Sequence, residues 1–522
     1  MSTGSSSSTW VQRLARVHRW FGVPLSLLVL VWFVSGIVMT LGGGFPEVTE
    51  RQRLERSGHL VSSFDEMAAG GAVWVPDVTG AAAFPAGVVP KGSVRIVARM
   101  GQIIWEIEAN RGIARYEVES GRALGPTSEA QARELAGAWL GSAPEWAVIQ
   151  NTPDTWTPRA ESHGWLPMLH AAAHDGTEVY VSLPAGHVVQ SSTARARVLA
   201  WLGAIPHWLY VVPLRRHGAL WRWSIVALSG VGACAALSGI VLGGVRAATH
   251  MIRHRQFGPF RKNVFVWHHG AGLTAGALVF TWLVSGALSL DPFSLEPYGS
   301  PRAGDRERAR GGALEPRAFV RSVRDAVAAC SPHLTVRSLE LVQIVREPFY
   351  VCRESPVRAM MVSASHGGGA LARVPPAWLA REVEALTAGA PSRVTELSAA
   401  DAYYYPTHFE PDLPFPVMKV ESGSIAHYVD LTTGRVLRRH DQTSRTYRWL
   451  YHGLHSLDLP ALLARPLLWR VVVIALCSVG SIVGATGTWL AARRAWRTIG
   501  PAPLRAKTGR AISSTKKNMD HL

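Results

Sequence analysis

Four stretches of the chain, near 20–42, 224–245, 264–290 and 471–492, run without a single Asp, Glu, Lys or Arg. Each has the ~20 residues that an apolar helix needs to cross a bilayer. With their flanks included, they predict transmembrane helices at 20–42, 220–245, 264–290 and 466–492. The residues between them carry a different pattern. "SVRIVARM", "QIIWEIEA" and "IARYEVES" (93–100, 102–109 and 113–120) alternate with period two and predict strands. "PTSEAQARELAGAWL" (126–140) predicts a helix with a Thr/Ser cap and an early Glu, and "EVYVSLPAGHVV" (178–189) a hairpin about Pro184-Ala185-Gly186. Segment 291–465 repeats the plan. "PRAFVRSVRDAVAAC" and "PPAWLAREVEALTAG" are predicted helices, "LELVQIV" and "PFYVCRE" strands, and "AHYVDLTTGRVL" the hairpin. The serine-rich start and the basic tail are expected to be disordered.

The two patterns belong to a tandem repeat. At an offset of 250, His18, Gly22, Trp32, Val34, Ser35 and Gly36 fall on His268, Gly272, Trp282, Val284, Ser285 and Gly286. At an offset of 248, Tyr180, Gly186, Trp201, His207, Arg222, Gly232, Gly239 and Arg246 fall on Tyr428, Gly434, Trp449, His455, Arg470, Gly480, Gly487 and Arg494. Each half reads as helix, outer α+β domain, helix. The expected fold is an integral membrane protein: a four-helix transmembrane bundle with pseudo-two-fold symmetry about the membrane normal, carrying two α+β extracytoplasmic domains at 43–219 and 291–465.

Charge supplies the orientation. The chain has 54 Lys and Arg against 37 Asp and Glu, a formal net charge of +17. Much of that surplus falls in three segments. Residues 1–19 and 246–263 hold basic residues and no acid, and 493–522 holds eight basic residues against Asp520. The positive-inside rule then places both termini and the 246–263 loop in the cytoplasm. The surplus charge is a topology signal and not a nucleic-acid footprint. Gly42-Gly43-Gly44-Phe45-Pro46 after the first span is no cleavage site, so an uncleaved helix is expected in place of a signal peptide. Cys330 and Cys352 share the second outer segment, where an oxidising compartment permits a disulfide. Cys234 and Cys477 fall in spans as small packing residues.

Four histidines pair through the repeat, His18 with His268 and His207 with His455. A lone histidine at a helix end is an interfacial residue; matched ones invite a common role. Below His18 come Gly22 and Ser26, and below His268 come Gly272 and Gly276, at i+4 and i+8 on one helix face. A flat porphyrin needs such clearance and an axial imidazole. A span separates its ends by ~30 Å, so His18 can share an iron with His268 but not with His207. The expectation is two haem b groups, the inner on His18 and His268 and the outer on His207 and His455. His269 and His452 are the alternative ligands beside them. Arg222 and Arg470 at the outer edge suit haem propionates or lipid headgroups. The stripes Gly232, Ala236, Gly239, Gly243 and Gly480, Gly484, Gly487, Ala491 read as close helix packing. His250 and His254 read as solvated loop residues. His163, His170 and His174 form an outer group without a carboxylate pattern, and read as structural.

"RVHRWFGVPLSLLVLVWFVSG", "YVDLTTGRVL" and "YRWLYHGLHSLDLP" resemble the PepSY-associated transmembrane family of bacteria, of the iron-regulated membrane protein and ferric-siderophore reductase type. The likeness covers nearly the whole chain, although "IPHWLYVVP" in the first half replaces the fuller "LHSLDLP". It implies PepSY-like outer domains, a dihaem bundle in the bacterial inner membrane, and ligand roles for His18, His268, His207 and His455. The function expected is transmembrane electron transfer to a ferric siderophore or similar ferric chelate. No glycine-rich dinucleotide fingerprint follows a strand, so electrons are expected from quinol or a separate cytoplasmic reductase. The rival is a non-redox membrane module that binds a peptide, protease or envelope partner. Transport is the weakest reading, because no span interior carries an ionisable acid or base other than histidine.

Overall fold

The computed structural model describes residues 6–60, 84–85, 88, 90, 92–100, 102–109, 112–118, 120–161, 163–255, 260–293, 299–365, 367–407 and 410–499. Residues 1–5 and 500–522, the start and tail expected to be disordered, lie outside the described residues. Among the described residues, four helices are long and apolar enough to cross a membrane: α1 (Ser6–Thr40), α2 (Gly218–His254), α3 (Asn263–Leu288) and α4 (Pro466–Ile499). α1 packs on α2 and α4, and α3 packs on the same two, so α1 and α3 stand diagonally across the bundle. Small residues permit the closest approaches. A Cβ on Gly480 would collide with the Phe33 ring, and one on Gly484 would lie 2.7 Å from the Leu30 Cα.

The helices outrun the apolar stretches. α1 begins well ahead of residue 20, and α2 continues past 245 to His254, into the segment expected to be a loop. Membrane thickness limits the apolar run but not the helix, and the sequence offers no breaker until Gly258-Pro259.

Among the described residues, three antiparallel sheets form in the segments between α1 and α2 and between α3 and α4. β1 (Val94–Arg99), β2 (Gln102–Ala109) and β3 (Gly112–Glu117) lie where period-two alternation predicts strands. β4 (Trp146–Gln150), β5 (Met168–Ala172), β6 (Glu178–Ser182) and β7 (His187–Ser192) form a meander. β8 (Ser338–Ile344), β9 (Glu347–Ser355) and β10 (Arg358–Ser363) follow, then a second meander of β11 (Arg393–Leu397), β12 (Val417–Ser422), β13 (Ile425–Asp430) and β14 (Val436–His440). The matched hairpins β6–β7 and β13–β14 turn at Gly186 and Gly434, at φ +66° and +65°. That backbone region is costly for any residue with a Cβ.

The third sheet is shared between the halves. Its order is β10-β9-β8-β1-β2-β3, with Ile96 opposite Leu339 at the seam. Three strands of each half thus meet in one sheet, with β1 and β8 antiparallel at its centre. Buried charges line the seam. Glu106 pairs with Arg99 at 3.1 Å and Arg95 at 3.6 Å, and Glu340 pairs with Arg353 at 3.1 Å and Arg435 at 3.2 Å. Burial alone would raise the Glu106 carboxyl, but Arg99 and Arg95 outweigh it and hold it at about 2. Glu340 is likewise held at about 2, with Arg435 and Arg353 overcoming burial.

The helix Glu129–Leu140 has the expected cap: Ser128 accepts from the Gln131 N–H in a capping box, and the helix ends at Gly141. The helix expected over 316–330 is shorter. A 3₁₀ turn, Pro316–Ala318, precedes a helix Val323–Cys330 that starts where Ser322 accepts from the Asp325 N–H. The intervening Phe319 is buried in the core, which pulls the chain out of helical path. Cys330 and Cys352 form a disulfide with Cα atoms 6.5 Å apart, tying that helix to β9.

Candidate functional site

His18 on α1 and His268 on α3 face each other across the bundle, ring centres 6.3 Å apart and planes at 43°. His18 Nδ1 donates to the Ala235 carbonyl of α2 at 2.9 Å. His268 Nδ1 donates to Thr486 Oγ1 of α4 at 3.0 Å and bonds to the Val483 backbone. Thr486 gives its own proton to the Ile482 carbonyl, which leaves the oxygen to accept. Ala235 and Val483 are matched at the 248 offset, so each histidine is held by the second helix of its own half.

The other pair sits at the opposite end of the bundle. His207 lies on a short helix, Ala204–Trp208, and His455 just after the π-turn Trp449–Gly453. Their ring centres are 6.1 Å apart, with planes at 59°. His207 Nδ1 bonds to the Trp32 carbonyl at 3.1 Å and Ser35 Oγ at 3.1 Å. His455 Nδ1 bonds to Ser285 Oγ at 3.2 Å and to the Trp282 backbone. The repeated Trp-x-Val-Ser-Gly therefore has a physical role. Its Trp carbonyl and Ser hydroxyl anchor the imidazole, and its glycine lies beside the ring, tightly so at Gly286. A Cβ on Gly36 would lie 3.8 Å from His207 Cε1, and one on Gly286 3.3 Å from His455 Cε1.

All four histidines thus donate through Nδ1, and among the described residues none has a hydrogen bond at Nε2. A donated Nδ1 proton leaves the Nε2 lone pair free, the tautomer in which an imidazole can bind a metal. An ion ~2 Å from one nitrogen of each facing ring would put the ring centres ~6 Å apart, the spacing found at both ends.

Around the inner pair the four helices enclose a cavity of about 780 Å³, within the usual size range of ligand pockets. Gly22, Ser26, Gly272 and Gly276 line it, but the lower two positions are helix contacts: a Cβ on Gly276 would lie 2.7 Å from Ile240 Cγ1, and Ser26 packs against Gly487. A Cβ on Gly22 or Gly272 would meet nothing within 4 Å. The space one turn from each histidine is therefore open, clearance that a flat macrocycle would need. Gly239 and Gly487, expected to serve helix packing, also seat the histidines. A Cβ on Gly239 would lie 2.7 Å from His18 Cε1, and one on Gly487 3.5 Å from His268 Cε1.

The remaining histidines stand apart. His269 lines the inner cavity with its Nε2 buried and unpartnered. His452 turns its Nδ1 to Asp458 at 3.5 Å. His170 bonds to Glu178 at 3.1 Å and stacks on Tyr180, His163 stacks on Trp165, and His174 is exposed. Among the described residues, no group of three or more His, Cys, Asp or Glu is placed to hold a metal ion. His250 and His254 lie on the helical extension of α2 with rings 4.6 Å apart. Arg222 donates to the Asp291 carbonyl, and Arg470 is exposed. Periodicity could not reveal the Ala235, Val483, Trp32 and Trp282 anchors, because they act through backbone atoms. The repeated serines of Trp-x-Val-Ser-Gly were the one signal available.

Comparison with protein-family models finds no match for the chain, and a search of curated proteins finds none either.

Proposed function

We propose that the protein carries electrons across a bacterial inner membrane, from a cytoplasmic donor to a ferric chelate such as a ferric siderophore outside. In this reading His18 with His268 and His207 with His455 are the axial ligands of two haem b groups. Bound there, the haems would supply one-electron steps at the two ends of the span, without any change of ligand. The observation that supports the reading is the pair of facing imidazoles, at 6.3 and 6.1 Å, each anchored at Nδ1 with no hydrogen bond at Nε2 among the described residues.

The chain's own contribution is positional. The Nδ1 anchors keep each Nε2 lone pair available, and the glycines beside the rings keep the imidazoles from being pushed out of line. From His18 to Ser35, which holds His207, seventeen residues of helix cover ~25 Å, so the two pairs serve opposite faces of one bilayer. Reduction of a ferric chelate by one electron weakens its hold on the metal, because hard oxygen donors favour Fe(III) over Fe(II). The PepSY-like character of the outer segments, and a cytoplasmic position for both termini, belong to the same proposal.

Pyridine hemochrome quantification and difference spectra before and after dithionite test it. Two low-spin b-type haems per chain are expected, reoxidised by a ferric chelate and not reduced by NADPH alone. A haem content near zero would overturn the proposal and leave the peptide-, protease- or envelope-binding module as the reading. Labelling of single cysteines at 120 or 310 from outside, with none at 256, is the outcome expected for the orientation; labelling at 256 alone would reverse it.

A further inference from the structure

The inner cavity obeys the repeat down to its mouth. Its lining pairs His18 with His268, Gly22 with Gly272, Gly239 with Gly487, and Arg246 with Arg494. The line joining the two imidazoles crosses the pseudo-two-fold axis at right angles. A planar macrocycle held between them therefore contains that axis and extends toward α2 on one side and α4 on the other. Its two carboxylates share one edge. Burying them in the apolar middle of the bundle would cost far more than turning them to the cationic mouth. Straddling the axis, one carboxylate then faces α2 and the other α4.

Arginines stand at both places. Gly239, Gly243 and Arg246 recur at i, i+4 and i+7 on one face of α2, as do Gly487, Ala491 and Arg494 on α4. Each arginine is ~10 Å along its helix from the glycine that seats a histidine, far enough toward the mouth to meet the propionate arms. Arg246 lies near Arg19 and His269, and no carboxylate pairs with it among the described residues. His269, whose Nε2 is buried without a partner, lines the same cavity close to Arg246.

We propose that Arg246 and Arg494 each bind one propionate of the inner haem, and that His269 is a second donor on one side rather than an axial ligand. The inference rests on the haem reading above. It assigns an orientation, propionates toward the cytoplasm, and gives a purpose to an arginine pair that topology alone would scatter along the helix ends.

The test is haem release from the full-length protein in detergent to excess apomyoglobin, with haem first counted by pyridine hemochrome. R246Q and R494Q are each expected to speed release from the inner site roughly tenfold or more, the loss of one charge-assisted hydrogen-bonded contact. The outer-site phase should not change. H269Q should keep two low-spin haems. The parent loaded with the dimethyl ester of haem should release it from the inner site as fast as the double variant, and this measurement stands even where a variant fails to fold. An unchanged inner phase, or an arginine effect of the same size with the ester, would overturn the proposal. So would an arginine effect seen only after phosphatidylglycerol is added, which would assign the cations to lipid headgroups. A parent without haem would instead sink the functional reading itself.

Discussion

The two histidine pairs have nearly the same spacing but are built differently. The inner rings project from α1 and α3 and are anchored by α2 and α4, so four long helices make that site alone. The outer rings come from Ala204–Trp208 and the chain after Trp449–Gly453, segments that follow directly on the outer sheets and are pinned back on α1 and α3. One geometry is thus reached by two routes. The inner site depends on bundle packing, and the outer one also on the fold above it.

Under the haem proposal, replacing one histidine of a pair separates the sites most sharply. His18→Ala is expected to remove the inner haem and spare the outer, and His455→Ala to do the reverse, read as one pyridine hemochrome equivalent lost in each. Loss of neither haem would move the ligand roles to His269 and His452. A smaller but selective effect is expected from breaking the Cys330–Cys352 bridge. Replacing both cysteines by serine should cost ~3 kcal/mol of outer-segment stability. In a urea titration the outer haem should then be released before the inner one; simultaneous release would show that both sites depend equally on the outer fold.

Acid should act in the same direction. Glu106 and Glu340 are held at about 2 against an ordinary value of 4.5. Their contribution is therefore complete above about 4.5 and is lost as pH falls toward 2. His187, pushed down to about 4 chiefly by burial, withdraws its share earlier, as pH drops below 6.5 toward 4. Circular dichroism against pH should show the sheets weakening over this window, and a flat profile would contradict the buried-network account. The finest contrast lies in the anchors. Ser35→Ala and Ser285→Ala should each weaken outer haem retention about tenfold and leave the inner site unaffected. An equal effect at both ends would mean that the serines act on the bundle as a whole.

Much of this arrangement is legible along the chain. Charge-free runs mark α1 to α4, the offsets of 250 and 248 pair the histidines, and a repeated glycine marks both hairpins. The shared sheet was not legible. Period-two alternation says that Val94–Arg99 is a strand with a buried face, but nothing in it names Ser338–Ile344 as its neighbour. The double use of Gly239 and Gly487 was hidden for a related reason. A small residue shows that something comes close, without saying whether a helix or an imidazole does.

The seam between β1 and β8 sets an order of events during synthesis. When the ribosome has finished residue 255, β1 has one bare edge, and His18 and His207 each lack the ring they will face. Those needs are met only after Ser338–Ile344 and His455 have emerged. The first half must therefore wait, sheltered from pairing with a neighbouring nascent chain, and under the haem proposal cofactor loading would be a late event in the life of the molecule. Residues 1–255 expressed alone should either self-associate through β1 or remain empty, and co-expression of residues 256–522 should rescue them.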